Sequence, residues 1–326
     1  MEVLVTGAGG FIGSHVTELL LSAGYSVRAL VHYNGEGSWQ NLANVAEEHR
    51  EQLDVRLGDV TDAFFVRDLV GGCDVVLHLA ALIGIPYSYM APASYVATNV
   101  GGTLNVLEAC KLANISRVVV TSTSEVYGTA RTTPMEESHP LQGQSPYSAS
   151  KIGADKLAES YYLSFNTPVV TLRPFNTYGP RQSSRAVIPT IIKQALSGAK
   201  SIKLGNLKPL RDLTFVHDTA RAFLLAATVP GIEGQTIHFG HGAAHSVADI
   251  AEACLNAAGS KAKIISENER KRPEKSEVEL LLCNPAKAER LLGWRPEVSL
   301  AEGITKTVEY LRTQPAIASA SKGYHV

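Results

Sequence analysis

Thr6-Gly7-Ala8-Gly9-Gly10-Phe11-Ile12-Gly13 stands at the start of the chain, and its surroundings decide the fold. It follows an apolar run, Glu2–Thr6, and opens an amphipathic segment that reaches Ala23, so it reads as a strand-to-helix turn. The glycines fall at positions 7, 10 and 13, a GxxGxxG spacing. Gly7 permits the tight turn, Gly10 lets backbone amides approach a pyrophosphate, and Gly13 lets the helix pack closely on the strand. Phe11 and Ile12 supply the backbone of the helix entry, where phosphates meet the positive end of the helix. Any tight strand-to-helix turn favours glycine. The preceding strand and following apolar helix are what make this one a dinucleotide fingerprint.

Outward from that turn, short β-branched runs alternate with helical patterns. Ser26–Val31, Asp54–Leu57, Val75–His78, Arg117–Ser122 and Val169–Arg173 read as further strands, and Val75–His78 is apolar enough to be buried on both faces. Asn99–Leu112 and Ser148–Phe165 read as helices. The pattern predicts an α/β fold: a doubly wound parallel (Rossmann) sheet that binds ligands at the carboxyl ends of its strands, with a smaller C-terminal substrate-binding domain. Past Pro174 the segments shorten and Gly198, Gly205 and Pro209 mark turns. Thr236–Phe239 looks like a strand returning to the main sheet, and Val247–Ala258 and Pro285–Leu292 look like helices. The expected division is a dinucleotide-binding domain over 1–174, to which 212–246 returns, and a substrate-binding domain over 175–211 and 247–312. Residues 313–326 read as a loose tail.

Composition removes several classes of function. The formal net charge is -1, so no global basic field exists to collect nucleic acid. The four cysteines are scattered without a CxxC pair or a histidine spacing suited to zinc, which predicts buried free thiols, a reducing cytoplasm and no metal site. The longest apolar stretch, Val75 to Ile85, is too short to span a bilayer, and Met1-Glu2 lacks the basic start of a signal peptide.

Tyr147 and Lys151 form YxxxK on a predicted helix, which puts both on one face a turn apart. An ammonium there lowers the phenol's pKa and makes tyrosinate available as a base. Tyrosine and lysine at this spacing also occur on solvated faces. Here they stand downstream of a dinucleotide fingerprint, with Thr121-Ser122-Thr123 ending the preceding strand, so Thr123 becomes the hydroxyl that binds the oxygen being deprotonated. Asp59-Val60, after the third strand, reads as a cap on an adenine edge or as an ordinary turn carboxylate. Val31-His32-Tyr33-Asn34, at the end of the second strand, holds neither an acid for a ribose 2′-hydroxyl nor an arginine pair for a 2′-phosphate. NAD is the expected cofactor, with NADP open.

Thr6–Gly13, Asp59-Val60, His78-Leu79-Ala80-Ala81, Asn99–Thr103, Ser122–Gly128, Tyr147–Lys151, Arg173–Pro180 and Arg211–Asp218 occur in an order that resembles the extended short-chain dehydrogenase/reductases acting on nucleotide sugars, over nearly the whole chain. The resemblance implies that Leu79, Ala80, Ala81, Thr121 and Pro174 line the cofactor together with Asn99, which also supports the active-site strand. It implies that Ser88, Asn176 and Arg181 contact the substrate, and that Arg211 and Arg272 neutralise its diphosphate, as guanidinium does through bidentate pairing. A homodimer packed through the helices at 99–112 and 148–165 is implied in the same way.

Ser122-Thr123-Ser124-Glu125-Val126-Tyr127-Gly128 bears on the reaction type. The family's 4-epimerases oxidise C4 and return the hydride, and usually carry small neutral residues at the positions of Ser124 and Glu125. Its 4,6-dehydratases must also remove the C5 proton and expel the C6 hydroxyl, for which Glu125 is the candidate base. The dTDP-glucose dehydratases have aspartate where this chain has Ser124, so an acid at C6 comes from Glu125, from water or through Ser124. Leu82–Tyr89, Pro174–Ser183 and Arg272–Val278 are similar to bacterial UDP-N-acetylglucosamine 4,6-dehydratases of legionaminic-acid-type pathways. UDP-glucuronate decarboxylases share Ser-Glu and would need an arginine for the substrate carboxylate, Arg185 or Arg211. A 4-epimerase and a catalytically silent dinucleotide sensor complete the alternatives.

Overall fold

In the computed structural model, residues 1–45 and 47–314 are described. Seven parallel strands form the main sheet: β1 (Glu2–Thr6), β2 (Ser26–His32), β3 (Leu53–Gly58), β4 (Val75–His78), β5 (Arg117–Thr121), β6 (Val169–Pro174) and β10 (Thr236–Phe239). Their spatial order is β10-β6-β5-β4-β1-β2-β3. The strand order reverses between β1 and β4, which opens a crevice at their carboxyl ends. The glycine-rich turn leaves β1 at that point, and Leu79–Ala81 leave β4 beside it.

Side-chain alternation divides each strand between two cores. Val3 and Val5 of β1 face a cluster with Val16 and Leu20 of α1 (Phe11–Ser22), while Leu4 faces the opposite one. That second layer holds α2 (Ala63–Val70), α4 (Gly102–Leu112) and α5 (Pro146–Phe165). Between them the chain forms α3 (Ile85–Met90) and a π turn, Val96–Gly101. The helix expected from Asn99 therefore starts earlier, with an α-helical turn at Pro92–Tyr95, passes through the π turn and is α-helical again from Gly102. Asn99 is drawn sideways in the π turn, because its amide bonds outside its own helix.

The chain then builds a smaller assembly from β7 (Asn176–Tyr178), α6 (Val187–Leu196), β8 (Ser201–Leu204) and β9 (Leu210–Phe215). β9 is central to it: β7 and β13 (Leu280–Leu281) pair with it in parallel and β11 (Ala244–Ser246) antiparallel, while β12 (Lys263–Ser266) pairs with β8. Buried Asp212 of β9 fastens the joint by accepting from the amides of His241 (2.7 Å), Gly242 (2.8 Å) and Cys283 (3.1 Å). The division drawn at 211/212 falls inside this strand. α7 (Val216–Thr228) follows it and crosses back to pack on α1, and β10 then pairs with β6. α8 (Val247–Ala258), α9 (Ala286–Leu292) and α10 (Leu300–Arg312) complete the chain. Trp294, fully buried, donates from Nε1 to the Asp218 carbonyl at 2.8 Å and pins the C-terminal segment to α7. The loose tail expected over 313–326 lies, beyond Gln314, outside the described residues.

Candidate active site

Gly7 has φ +71°, and a Cβ there would lie 2.8 Å from Ala80 N, so only glycine turns this tightly against the end of β4. A Cβ on Gly13 would meet the Gly7 carbonyl at 2.2 Å, so its absence seats α1 on the turn. No side chain caps α1 at Gly10, which leaves the first-turn amides, Phe11 and Ile12 among them, for a ligand. Thr6 Oγ1 accepts from Leu79 N at 3.2 Å and Ala80 N at 3.1 Å, fixing the segment that continues into Ala81. Thr121 Oγ1, at the end of β5, is buried without a hydrogen-bond partner. A bare helix entry, a glycine cradle and an orphaned hydroxyl fit a dinucleotide.

At the rim, Asp59 accepts from Thr61 N at 2.8 Å and lies 3.5 Å from His32, the residue that ends β2. Val60 buries its side chain against the α4 layer, leaving only its backbone to meet an adenine. Pro174 closes β6 and is buried.

The chemistry-bearing side chains converge where β5 ends and α5 begins. Ser145 caps α5 through a reciprocal pair with Ser148, and Pro146 occupies its first turn, so Tyr147 enters the site from a rigid helix start. Tyr147 and Lys151 are both buried, one turn apart. The Thr123 hydroxyl hydrogen-bonds the Tyr147 phenol, while its Oγ1 accepts from Glu125 N at 3.2 Å. Ser124 is buried in the same short turn. The Glu125 carboxylate is nearly buried and makes no hydrogen bond or ion pair among the described residues. Its charge acts on both the Tyr147 phenol and the Arg211 guanidinium.

The electrostatics differ from the sequence expectation. Burial pushes the Tyr147 phenol up, Glu125 and Tyr95 push the same way, and the Thr123 hydrogen bond opposes them. Desolvation thus outweighs the lowering expected from the lysine. Burial also brings the Lys151 ammonium down to about 8, opposed by the Asp155 carboxylate.

Several expected contacts are placed otherwise. Asn99 is fully buried: Oδ1 accepts from Leu82 N at 2.8 Å, and Nδ2 donates to Leu82 O and Ser150 Oγ, both at 2.9 Å. It ties the segment after β4 to α5 as a support, with nothing left to offer a cofactor. Ser88 is fully buried and donates to Ile85 O at 2.7 Å, so it serves its own helix and not a substrate. Arg181 spends both arms on Glu18 of α1, at 2.9 and 2.7 Å, which makes it an interlayer clasp in place of a substrate contact. Asn176 keeps a buried Oδ1 without a partner, as a ligand-facing amide would. Arg211 and Arg272 are brought together by Glu277, at 3.2 and 3.5 Å.

Three features were not expected from the sequence. Asp155, Arg173 and Tyr127 form a buried polar chain behind Lys151. Glu277 bridges the two arginines. Ser276 joins the 272–278 loop to the site by hydrogen-bonding Tyr89 at 2.7 Å and donating to Gln144 O at 2.6 Å. Asp155 was signalled by its register, one turn beyond Lys151 on the same helical face; no local signal marks the other two.

Among known proteins, the family model described as GDP-mannose 4,6 dehydratase matches residues 4–307. A dTDP-glucose 4,6-dehydratase of Actinoplanes is 34% identical, covering 96% of this chain and 98% of its own. A UDP-glucose 4-epimerase of Mycolicibacterium smegmatis is 33% identical, covering 96% of this chain and 99% of its own. Of solved structures, the dTDP-glucose 4,6-dehydratase DesIV of Streptomyces venezuelae, with NAD bound, superposes with a TM-score of 0.86 at 31% identity, over 96% of this chain and 97% of that one. A UDP-glucuronic acid 4-epimerase of Bacillus cereus with NAD reaches a TM-score of 0.88 at 30% identity, over 96% and 99%. With the glycine cradle and the Thr123–Tyr147–Lys151 cluster in these positions, the chain belongs to the GDP-mannose 4,6-dehydratase family, the sugar dehydratases and epimerases of the extended short-chain dehydrogenase/reductases.

Proposed function

We propose that this enzyme is a nucleotide-sugar 4,6-dehydratase that uses NAD and favours UDP-N-acetylglucosamine. One observation carries the reading: an unpaired, nearly buried Glu125 carboxylate beside the Tyr147 phenol. A 4-epimerase has no need of a second base there.

The glycine turn, Thr121 and Lys151 would hold NAD, which supplies the hydride acceptor and donor that make the reaction redox-neutral. Tyr147, aligned by Thr123, removes the proton from O4 as C4 is oxidised. Lys151 as a cation lowers the barrier to forming tyrosinate in a site that otherwise keeps the phenol protonated. The 4-ketone acidifies the C5 hydrogen, Glu125 takes that proton, and the C6 hydroxyl leaves as water, with Ser124 within the same turn as a relay. With the hydride that bound NAD would supply at C6 and a proton at C5, the product would be a 4-keto-6-deoxy sugar. Arg211 and Arg272 hold the diphosphate, Asn176 meets the sugar, and the smaller assembly acts as a substrate domain closing over it.

Absence of an arginine pair at the end of β2 supports NAD over NADP. Four buried free thiols support a reducing cytoplasm. Leu104 and Leu112 of α4 and Leu163 and Phe165 of α5 expose apolar side chains that support a homodimer through these helices. Among the described residues no helix is long and apolar enough to cross a membrane.

Arg211 favours a second reading. Its charge lies close enough to Glu125 to serve a substrate carboxylate, as a UDP-glucuronate decarboxylase requires. Incubating the enzyme with NAD and, separately, UDP-N-acetylglucosamine, dTDP-glucose and UDP-glucuronate, with product mass as readout, decides between them. Loss of one water from the first supports the proposal. Loss of water from dTDP-glucose alone overturns its substrate, and loss of CO₂ from UDP-glucuronate alone overturns its reaction.

A further inference from the structure

Asp155 lies on α5 one turn beyond Lys151 and two beyond Tyr147, on the buried face of the helix. Its Oδ2 gathers three donors. Ser122 Oγ, from the end of β5, donates to it at 2.7 Å, Arg173 Nε from β6 donates at 3.0 Å, and Arg173 Nη2 lies 2.9 Å away. Ser122 is the residue before Thr123. One carboxylate oxygen therefore ties the strand that carries Thr123 to the helix that carries Tyr147. Its other oxygen, Oδ1, is buried without a partner, and Lys151, one turn back, makes no hydrogen bond among the described residues. The free oxygen of Asp155 and the Lys151 ammonium thus stand one helical turn apart on a buried helix face, neither bonded to another group among the described residues.

Resting on the reading of Tyr147 and Lys151 as catalytic, we propose that Asp155 is the positioning residue of this centre: it braces β5 against α5 and keeps Lys151 a cation. The anchor behind it is fixed in turn. Arg173 Nη1 donates to Tyr127 Oη at 3.1 Å, and that oxygen lies 3.1 Å from His238 Nδ1. The other elements packed around Lys151 bring no second anion. β4 presents His78, whose ring bonds Thr6 at 2.8 Å and Thr103 at 3.1 Å and is kept neutral by burial. β5 presents the hydroxyls of Thr121, Ser122 and Thr123, and β6 presents Arg173, already paired. On the turn after β5, the Glu125 charge acts on Tyr147, and Tyr95 packs on the far side of that ring. Asp155 is the counter-charge that opposes the desolvation of the ammonium. A carboxylate locked by three donors acts as a fixed charge and cannot swing out to meet solvent or substrate.

The test is the titration of Lys151 itself, followed through its ¹³Cε resonance in lysine-labelled full-length protein and assigned with K151R. D155N is expected to move that titration down by about one pH unit or more, which leaves roughly a tenth as much cation at a given alkaline pH. The alkaline limb of kcat should move with it. Because D155N leaves Arg173 buried and unpaired, D155N/R173M, which removes both opposed charges, is measured alongside. D155N with its Lys151 titration unmoved from the parent, or D155N/R173M with its titration unmoved from that of R173M, overturns the proposal, whatever its melting temperature. The resonance needs no substrate, so a shifted titration supports the assignment even if every sugar in the panel is left intact, which would sink only the functional reading.

Discussion

Tyr95 stands edge-on to Tyr147, with ring centroids 6.2 Å apart, and its own hydroxyl donates to the Gly84 carbonyl at 2.5 Å. The candidate base is therefore held from two sides, by Thr123 at its oxygen and by Tyr95 at its ring. Y95F keeps the ring contact and loses one hydrogen bond, a cost of about 1 kcal/mol. Y95A opens a cavity beside Tyr147 and should cost about 3–5 kcal/mol of stability. Its kcat should fall roughly a hundredfold through a misplaced phenol. Denaturant melts and steady-state rates on both variants check this; equal rates for Y95A and the parent would remove Tyr95 from the site.

Glu125 has a sharper signature. E125Q should still oxidise C4 but stall before water is lost, with kcat down by about 10²–10⁴. Reduced nicotinamide absorbance should build up on the enzyme, and solvent deuterium should fail to enter C5. Full turnover in this variant would assign the C5 base elsewhere.

The lowered Lys151 makes pH a probe of both rate and stability. If the cation is the working form, kcat declines as pH rises through about 8. Stability runs the other way. The unfolded chain keeps this proton up to 10.5, so between about 8 and 10.5 it binds more protons than the folded chain, and ∂ΔG/∂pH is positive. The desolvation cost is fully present below about 8 and is relieved above it. Urea titrations of the parent and K151M at pH 7.5, 8.5 and 9.5 should show a gap in favour of K151M that narrows as pH rises.

The clasp between Arg181 and Glu18 predicts an effect on stability without one on affinity. R181M should cost about 2 kcal/mol by leaving Glu18 without its fork. The KM for the nucleotide sugar should hold. A raised KM with an unchanged melt would return Arg181 to the substrate.

Much of this architecture is legible in the chain. Strands buried on both faces, such as Val75–His78, declare themselves as unbroken apolar runs, and the glycine turn is legible because only glycine fits at Gly7 and Gly13. The YxxxK pair is legible because helical register is local. What escaped is what depends on partners distant in sequence. Ser88 and Arg181 occupy suggestive positions, yet their polar atoms are used by Ile85 and Glu18. Asp155 reads as one more polar residue on a mixed helix until β5 and β6 supply Ser122 and Arg173. β9 escapes for the same reason, since its neighbours are strands of two or three residues held in place by Asp212.

The late arrival of β10 has a consequence for synthesis. By residue 174 a nascent chain carries the glycine turn, the YxxxK helix and six strands of the main sheet. The outer edge of β6, Val169–Pro174, still waits for Thr236–Phe239. At translation rates of about 5–20 residues per second, that edge stays open for roughly 3 to 12 s after β6 has been made. Its buried positions are Val-Val-Thr-Leu-Arg-Pro, and unpaired edges of this kind template association with other chains. Slow codons between 175 and 235 should therefore lower the yield of folded enzyme, whereas the same codons after 240 should not.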